Sequence, residues 1–128
     1  MSNTFRKEER LHNFHTINEL FNEGKTFIKF PFKVVYLPLK DDLMFPAQVI
    51  MSVSKKKFKR ANKRNLIRRR MKESYRLNKE TLYEILNTQK VNIAIAFIYL
   101  PSELLPYHEI DKGMKKVIEK FSQINLNE

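Results

Sequence analysis

Cysteine and tryptophan are absent from these 128 residues, and glycine occurs only twice, as Gly24 and Gly113. Without cysteine, neither a disulfide framework nor a zinc finger is available. Two isolated glycines make no glycine-rich phosphate loop, which argues against nucleotide binding of that kind. No apolar run reaches the roughly 18 residues a membrane helix needs. The opening MSNTFRKEERLHNF has no continuous apolar core of the secretory type. The expectation is a cytoplasmic protein with no membrane partner.

Acids are also scarce, but only locally. Residues 55–72 hold Lys55, Lys56, Lys57, Lys59, Arg60, Lys63, Arg64, Arg68, Arg69, Arg70 and Lys72 with no Asp or Glu. These are eleven of the chain's 25 bases, so the remaining fourteen face 14 acids and the rest of the molecule is neutral. The net charge of +11 is therefore one local feature. A concentrated positive patch attracts a polyanion strongly and in a salt-dependent way.

Apolar residues make up 42% of the chain and aromatics 12%, enough for one core. One domain over residues 1–128 is expected, with 1–12 as a flexible tail. Thr16 with Glu19 fits a capping box opening a short helix, and Gly24 suits a left-handed residue past its end. Ile17, Leu20 and Phe21 make that helix's buried face. Phe27, Phe30 and Phe32 mark an extended stretch interrupted at Pro31, residues 33–37 continue it to Pro38, and Asp41 and Asp42 sit in a turn. Residues 47–53 read as a further strand, with Pro46 at its start. A long helix spans about 60–86, its stripe formed by Ile67, Met71, Tyr75, Asn78, Leu82 and Ile85 with Ser74 inside it. Residues 91–100 form a central strand, apolar on both faces. Ile110, Met114, Val117, Ile118 and Phe121 define a last amphipathic helix despite Gly113. This is an α+β chain of order α-β-β-β-α-β-α, with helices packed on a small four-stranded sheet.

Arg60, Arg64, Arg68 and Lys72 recur every fourth residue. Such a row drifts only about 40° per step and forms a cationic ridge. Arg60 and Arg64 share the azimuth of Ile67 and Met71, so the core stripe stops there and the first turns project beyond the core. An arginine-rich helix start offers free N–H groups and forked donors that suit phosphates, and Asn65 can address a base or a 2′-OH. A merely solvated helix normally mixes both signs, whereas this stretch repels itself without a partner. A peripheral membrane helix would have to expose the stripe that the core needs. His12, His15 and His108 are scattered and no third metal ligand joins the first two, so no catalytic or metal residue is assigned. Composition alone leaves a ribosomal protein or a DNA-binding module open.

Ser52-Val53-Ser54-Lys55-Lys56, then Ala61, then Arg64-Asn65-x-x-Arg68-Arg69-x-x-Lys72-Glu73, resembles the signature of the bacterial ribonuclease P protein subunit. Arg10-Leu11 with Ile17-x-x-Leu20-Phe21-x-x-Gly24 resembles that family's first helix. Leu66 stands where the family usually has an arginine, the spacer 57–60 is one residue longer, and Ile17 replaces a frequent phenylalanine. The resemblance implies a ribosomal protein S5 domain 2-like fold with a left-handed β-α-β crossover. It implies a subunit of an endoribonuclease that removes the 5′ leader from precursor tRNA, with catalysis carried by the RNA subunit. Magnesium would enter through that RNA, and no cofactor would sit on the protein alone. The implied partners are the catalytic RNA and precursor tRNA, with no DNA. Carried over by residue, Lys55, Lys56, Arg64, Asn65, Arg68, Arg69 and Lys72 would dock the catalytic RNA, and the ridge reading adds Arg60. A leader cleft would use Ile17, Phe21 and a ring from the strand after Pro31, Phe32 or Tyr36.

Overall fold

The structure, a computed structural model, describes residues 4–40 and 42–127. The chain begins with a single 3-10 turn, Lys7–Glu9, and then forms α1 (Phe14–Glu23), β1 (Lys25–Lys29), β2 (Phe32–Leu39) and β3 (Ala47–Val53). Next come α2 (Ala61–Gln89), β4 (Asn92–Tyr99) and α3 (Tyr107–Gln123). The sheet order is β1-β2-β4-β3. β1 and β2 form an antiparallel hairpin, β2 is antiparallel to β4, and β3 is parallel to β4 with α2 as the crossover. The α+β order expected from the pattern is the order found.

Local chemistry explains most element ends. Asn13 caps α1, its side-chain oxygen accepting from the Thr16 N–H at 3.2 Å. The helix thus starts two residues before Thr16, and the Thr16–Glu19 capping box is not used. Gly24 is not left-handed either, with φ −68°. It is needed for space: a Cβ there would lie 2.3 Å from the Leu20 carbonyl oxygen and 2.8 Å from Val35 Cγ1. β2 runs through Pro38 to Leu39. Pro38 fits because β1 has already ended opposite Tyr36, so no ladder bond is lost on that side. α2 continues past Leu86, which is fully buried, to a left-handed Lys90 at φ 55°. Asp41 of the expected 41–42 turn lies outside the described residues.

The pleat sends alternate residues to two different layers. Val34, Tyr36, Val49, Met51, Ile95 and Phe97 pack with Ile67, Met71, Tyr75 and Leu82 of α2 and with Met114, Val117 and Phe121 of α3. On the opposite face Val35, Ala94 and Ala96 pack with Leu20 of α1 and with Leu11 of the segment before it. β4 lies between two strands and under both layers, so Ile93, Ala94, Ile95, Ala96 and Phe97 are all fully buried. Truncating a core residue such as Leu82 to Ala should cost about 2–5 kcal/mol.

Residues 4–12 do not behave as the expected tail. Glu9 is fully buried and pairs with Lys79 of α2 at 2.5 Å, and the Tyr83 hydroxyl donates to the same carboxylate at 2.9 Å. Lys79 Nζ also donates to the Thr4 carbonyl. Arg10 makes a parallel bridge to Val49, extending the β3 edge. A buried carboxylate needs such a partner, so the segment is strapped across α2 and the sheet edge.

Candidate nucleic-acid interface

β3 ends at Val53 and the chain must reverse before α2. Ser54 organises that reversal, its hydroxyl accepting from the N–H groups of Lys56 (3.2 Å) and Lys57 (3.4 Å). Phe58 anchors the loop, buried with its ring centroid 6.0 Å from that of Tyr99. Lys55, Lys56, Lys59 and Arg60 are left exposed around it. Lys57, also exposed, donates to the Leu100 carbonyl.

The first buried residue of α2 is Ile67, so residues 61–66 stand clear of the core as expected. Its first turn has no side-chain cap and no acid. Free N–H groups at such a start favour an anion. Arg64 is bent back, with Nη1 donating to the carbonyls of Phe58 (2.7 Å) and Lys59 (3.0 Å). It braces the loop that presents the lysines. Arg70 likewise faces inward, donating to the Leu105 carbonyl at 2.6 Å. The ion pairs among the described residues are Arg76–Glu73, Lys79–Glu9, His108–Glu109 and Lys115–Asp111. None of the eleven bases of 55–72 is in one.

Asn65, Arg68, Arg69 and Lys72 meet along a basic depression of about 510 Å³, whose opposite wall is the strap's Phe5 and Arg10. Arg68 donates to Asn65 Oδ1 at 3.3 Å. The Arg10 guanidinium lies 5.2 Å from the Phe5 ring centroid and donates to the Phe5 carbonyl at 3.1 Å. Glu73, at the same depression, is bound by Arg76 at 2.6 Å, and that hydrogen bond holds its carboxyl below the usual range. Lys55, Lys56 and Arg60 lie outside the depression, on the loop and helix start. Arg10 was not assigned to a site from the sequence. Its place depends on the Glu9–Lys79 pair, whose partners are 70 residues apart.

The second group of expected residues is divided by the sheet. Phe21 of α1 is 48% exposed, and Ile17 is half-buried with Leu37, Leu39, Ile50 and Ile98 around Val35, Ala94 and Ala96. This gives a partly open apolar surface beside α1. Phe32 and Tyr36 are not on it. Phe32 is fully buried against Phe97, and Tyr36 is 6% exposed between Phe27 and Phe121. Even-numbered β2 residues face α2 and α3, so the other face carries Lys33, Val35, Leu37 and Leu39, none of which has a ring. Burial also pushes the Tyr36 phenol up from its ordinary value. Among the described residues no helix is long and apolar enough to cross a membrane.

The ribonuclease P family model matches residues 5–122. The ribonuclease P protein component of Porphyromonas gingivalis strain W83 is 37% identical over 110 residues, covering 86% of this chain and 80% of the relative. That of Chlorobium phaeobacteroides is 31% identical over 129 residues, covering 90% and 88%. In structure, the Staphylococcus aureus RNase P protein superposes with a TM-score of 0.70 at 19% identity, covering 88% of this chain and 94% of the other. The Thermotoga maritima RNase P protein gives 0.69 at 20% identity, covering 88% and 96%. A match spanning nearly the whole chain, on a fold whose long helix opens with bases in no ion pair among the described residues, admits one assignment: this chain belongs to the ribonuclease P protein family.

Proposed function

We propose that this chain is the protein subunit of ribonuclease P and acts by binding two RNAs at two surfaces. The loop 54–60 and the start of α2 dock on the catalytic RNA. The apolar surface beside α1, with Phe21 standing out and Ile17 below, holds the single-stranded 5′ leader of precursor tRNA. The observation that carries the reading is the run of eleven bases along the loop before α2 and its first turns, unpaired with any carboxylate among the described residues.

The physical role follows. Leader and catalytic RNA are both polyanions, and cations placed between them remove their mutual repulsion while releasing counterions. An aromatic and aliphatic surface holds leader nucleotides with little preference for sequence, because every base has a π-face. The chain's own side chains provide no cluster of three carboxylates or histidines among the described residues. In this reading the chemical step belongs to metal ions held by the RNA subunit. The protein raises substrate affinity and leaves bond cleavage to its partner.

Reconstitution tests this. Purified chain added to a ribonuclease P RNA should lower the magnesium concentration needed to cleave precursor tRNA. An unchanged magnesium and salt requirement would move a different RNA-binding role, such as that of a ribosomal protein, ahead.

A further inference from the structure

The tip of the β1–β2 hairpin holds two large apolar side chains in water: Ile28 is 63% exposed and Phe30 58% exposed. The backbone beneath them is fixed. A Cβ on Gly113 of α3 would lie 2.3 Å from Pro31 Cδ and 2.5 Å from the Phe30 carbonyl oxygen, so the tip rests directly on the helix. A glycine in the middle of α3 costs helix stability, and this close approach accounts for it. Lys29, Lys112 and Lys116 share a shallow depression of about 250 Å³ with Ile28, Phe30 and Glu109. None of these three lysines is in an ion pair among the described residues, and Glu109 lies 3.5 Å from His108.

The tip is also joined to the basic loop before α2. The Leu100 N–H donates to the Pro31 carbonyl at 2.9 Å, and the Leu100 carbonyl accepts from Lys57. Lys29 and the loop 55–60 thus lie at the same end of the sheet.

We infer that the hairpin tip is a third RNA-binding site, where the Phe30 ring stacks on an unpaired base and Lys29, Lys112 and Lys116 neutralise the phosphates on either side. An exposed apolar pair alone would suit a protein partner. Three unpaired lysines around it, against one glutamate, favour a polyanion that also has flat apolar faces. Single-stranded RNA has both properties, whereas a duplex keeps its bases stacked inside. The site offers rings and cations and no fixed base-edge donors, so it tolerates any sequence. This inference rests on the reading of the chain as an RNA-binding subunit.

The test uses the full chain and fluorescence anisotropy with a short labelled oligouridylate, an RNA duplex and ribonuclease P RNA. A Phe21→Ala background removes the competing ring on α1. In that background Phe30→Ala should weaken oligouridylate binding roughly tenfold, with an unchanged salt slope, and Phe30→Trp should keep it. Lys112→Ala with Lys116→Ala should make the salt slope shallower by about 1.4 units, at about 0.7 per single-strand phosphate. Duplex affinity should not respond to Phe30→Ala. Equal oligouridylate affinity with and without Phe30, no oligouridylate binding at all, or an equal loss for duplex overturns the inference. So does a self-association in sedimentation that disappears with Phe30→Ala while RNA affinity stays, since the tip would then be a protein contact. Loss of wild-type binding to ribonuclease P RNA would defeat the functional reading itself. Retained binding with an indifferent Phe30 defeats only the tip.

Discussion

Arg68 reaches the basic depression with Asn65 as its hydrogen-bond partner, while Arg64, one turn earlier, spends its donors on the loop carbonyls. The two arginines therefore have different work. Arg68→Ala should remove one phosphate contact and make the salt dependence of catalytic-RNA binding shallower by about one unit, with thermal stability unchanged. A titration over a range of salt concentrations, with a melting curve alongside, measures both. Spacing put Arg64 and Arg68 on one ridge, and only the folded loop distinguishes them. The aromatic residues divide in the same way. Phe21→Ala should weaken binding of precursor tRNA more than of mature tRNA and leave the melting temperature near wild type, because the ring is exposed. Tyr36→Ala should instead destabilise the fold by about 3 kcal/mol, since its ring fills the space between Phe27 and Phe121. Denaturant melts paired with filter binding separate the two. The alternation along β2 was legible in the sequence, but which parity faces the two long helices was not. A strand with Phe32, Val34 and Tyr36 on one side and Val35 and Leu37 on the other is apolar on both, so either face could be the core.

At the scale of elements, the contact of α2 with α3 explains two polar residues inside an apolar stripe. Ser74 donates to Asp111 Oδ1 at 2.7 Å, Asn78 donates to the same oxygen at 2.9 Å, and Lys115 approaches Oδ2 at 3.0 Å. Burial would raise the Asp111 carboxyl, but hydrogen bonds from Ser74, Lys115 and Asn78 together outweigh it and hold the group below its ordinary value of 3.8. The folded state therefore binds this proton less readily than the unfolded chain does. The stabilisation is complete above the unfolded value and disappears as pH falls through the lower folded one. Asp111→Asn should be less stable than wild type at neutral pH, and the gap should narrow below about pH 4. Melting temperatures of both proteins across that range measure it; a constant gap would count against the assignment. Helix periodicity revealed α2 and α3 from the sequence, and a continuous apolar run revealed β4. Hidden from it were features made by distant partners: Glu9 with Lys79, Gly24 under Val35, and Gly113 under Pro31. Each depends on which surfaces meet, and no local pattern encodes that.

For the whole molecule, the consequence is a separation of charge along the sheet. Val53 pairs with Tyr99 at one end of β4, and Leu39 pairs with Asn92 at the other. These ends are about 23 Å apart at roughly 3.3 Å per strand residue. Residues 55–60 continue from the first end, and Lys40 and Lys90 flank the second. That distance exceeds the Debye length of about 8 Å at physiological salt, so the two ends act on a polyanion independently. If binding followed overall charge, any lysine would serve. If it follows the local patch, position decides. Replacing Lys55, Lys56, Lys59 and Lys63 together with Ala should lower the salt slope for catalytic-RNA binding by about 3–4 units, at about 0.9 per phosphate contact. Lys40→Ala with Lys90→Asn, the latter chosen because asparagine tolerates the left-handed backbone at φ 55°, should leave that slope within about 0.5 unit of wild type. Both proteins should melt like wild type, because all six lysines are exposed. Equal slope losses per lysine at the two ends would show that net charge, and not the start of α2, attracts the RNA.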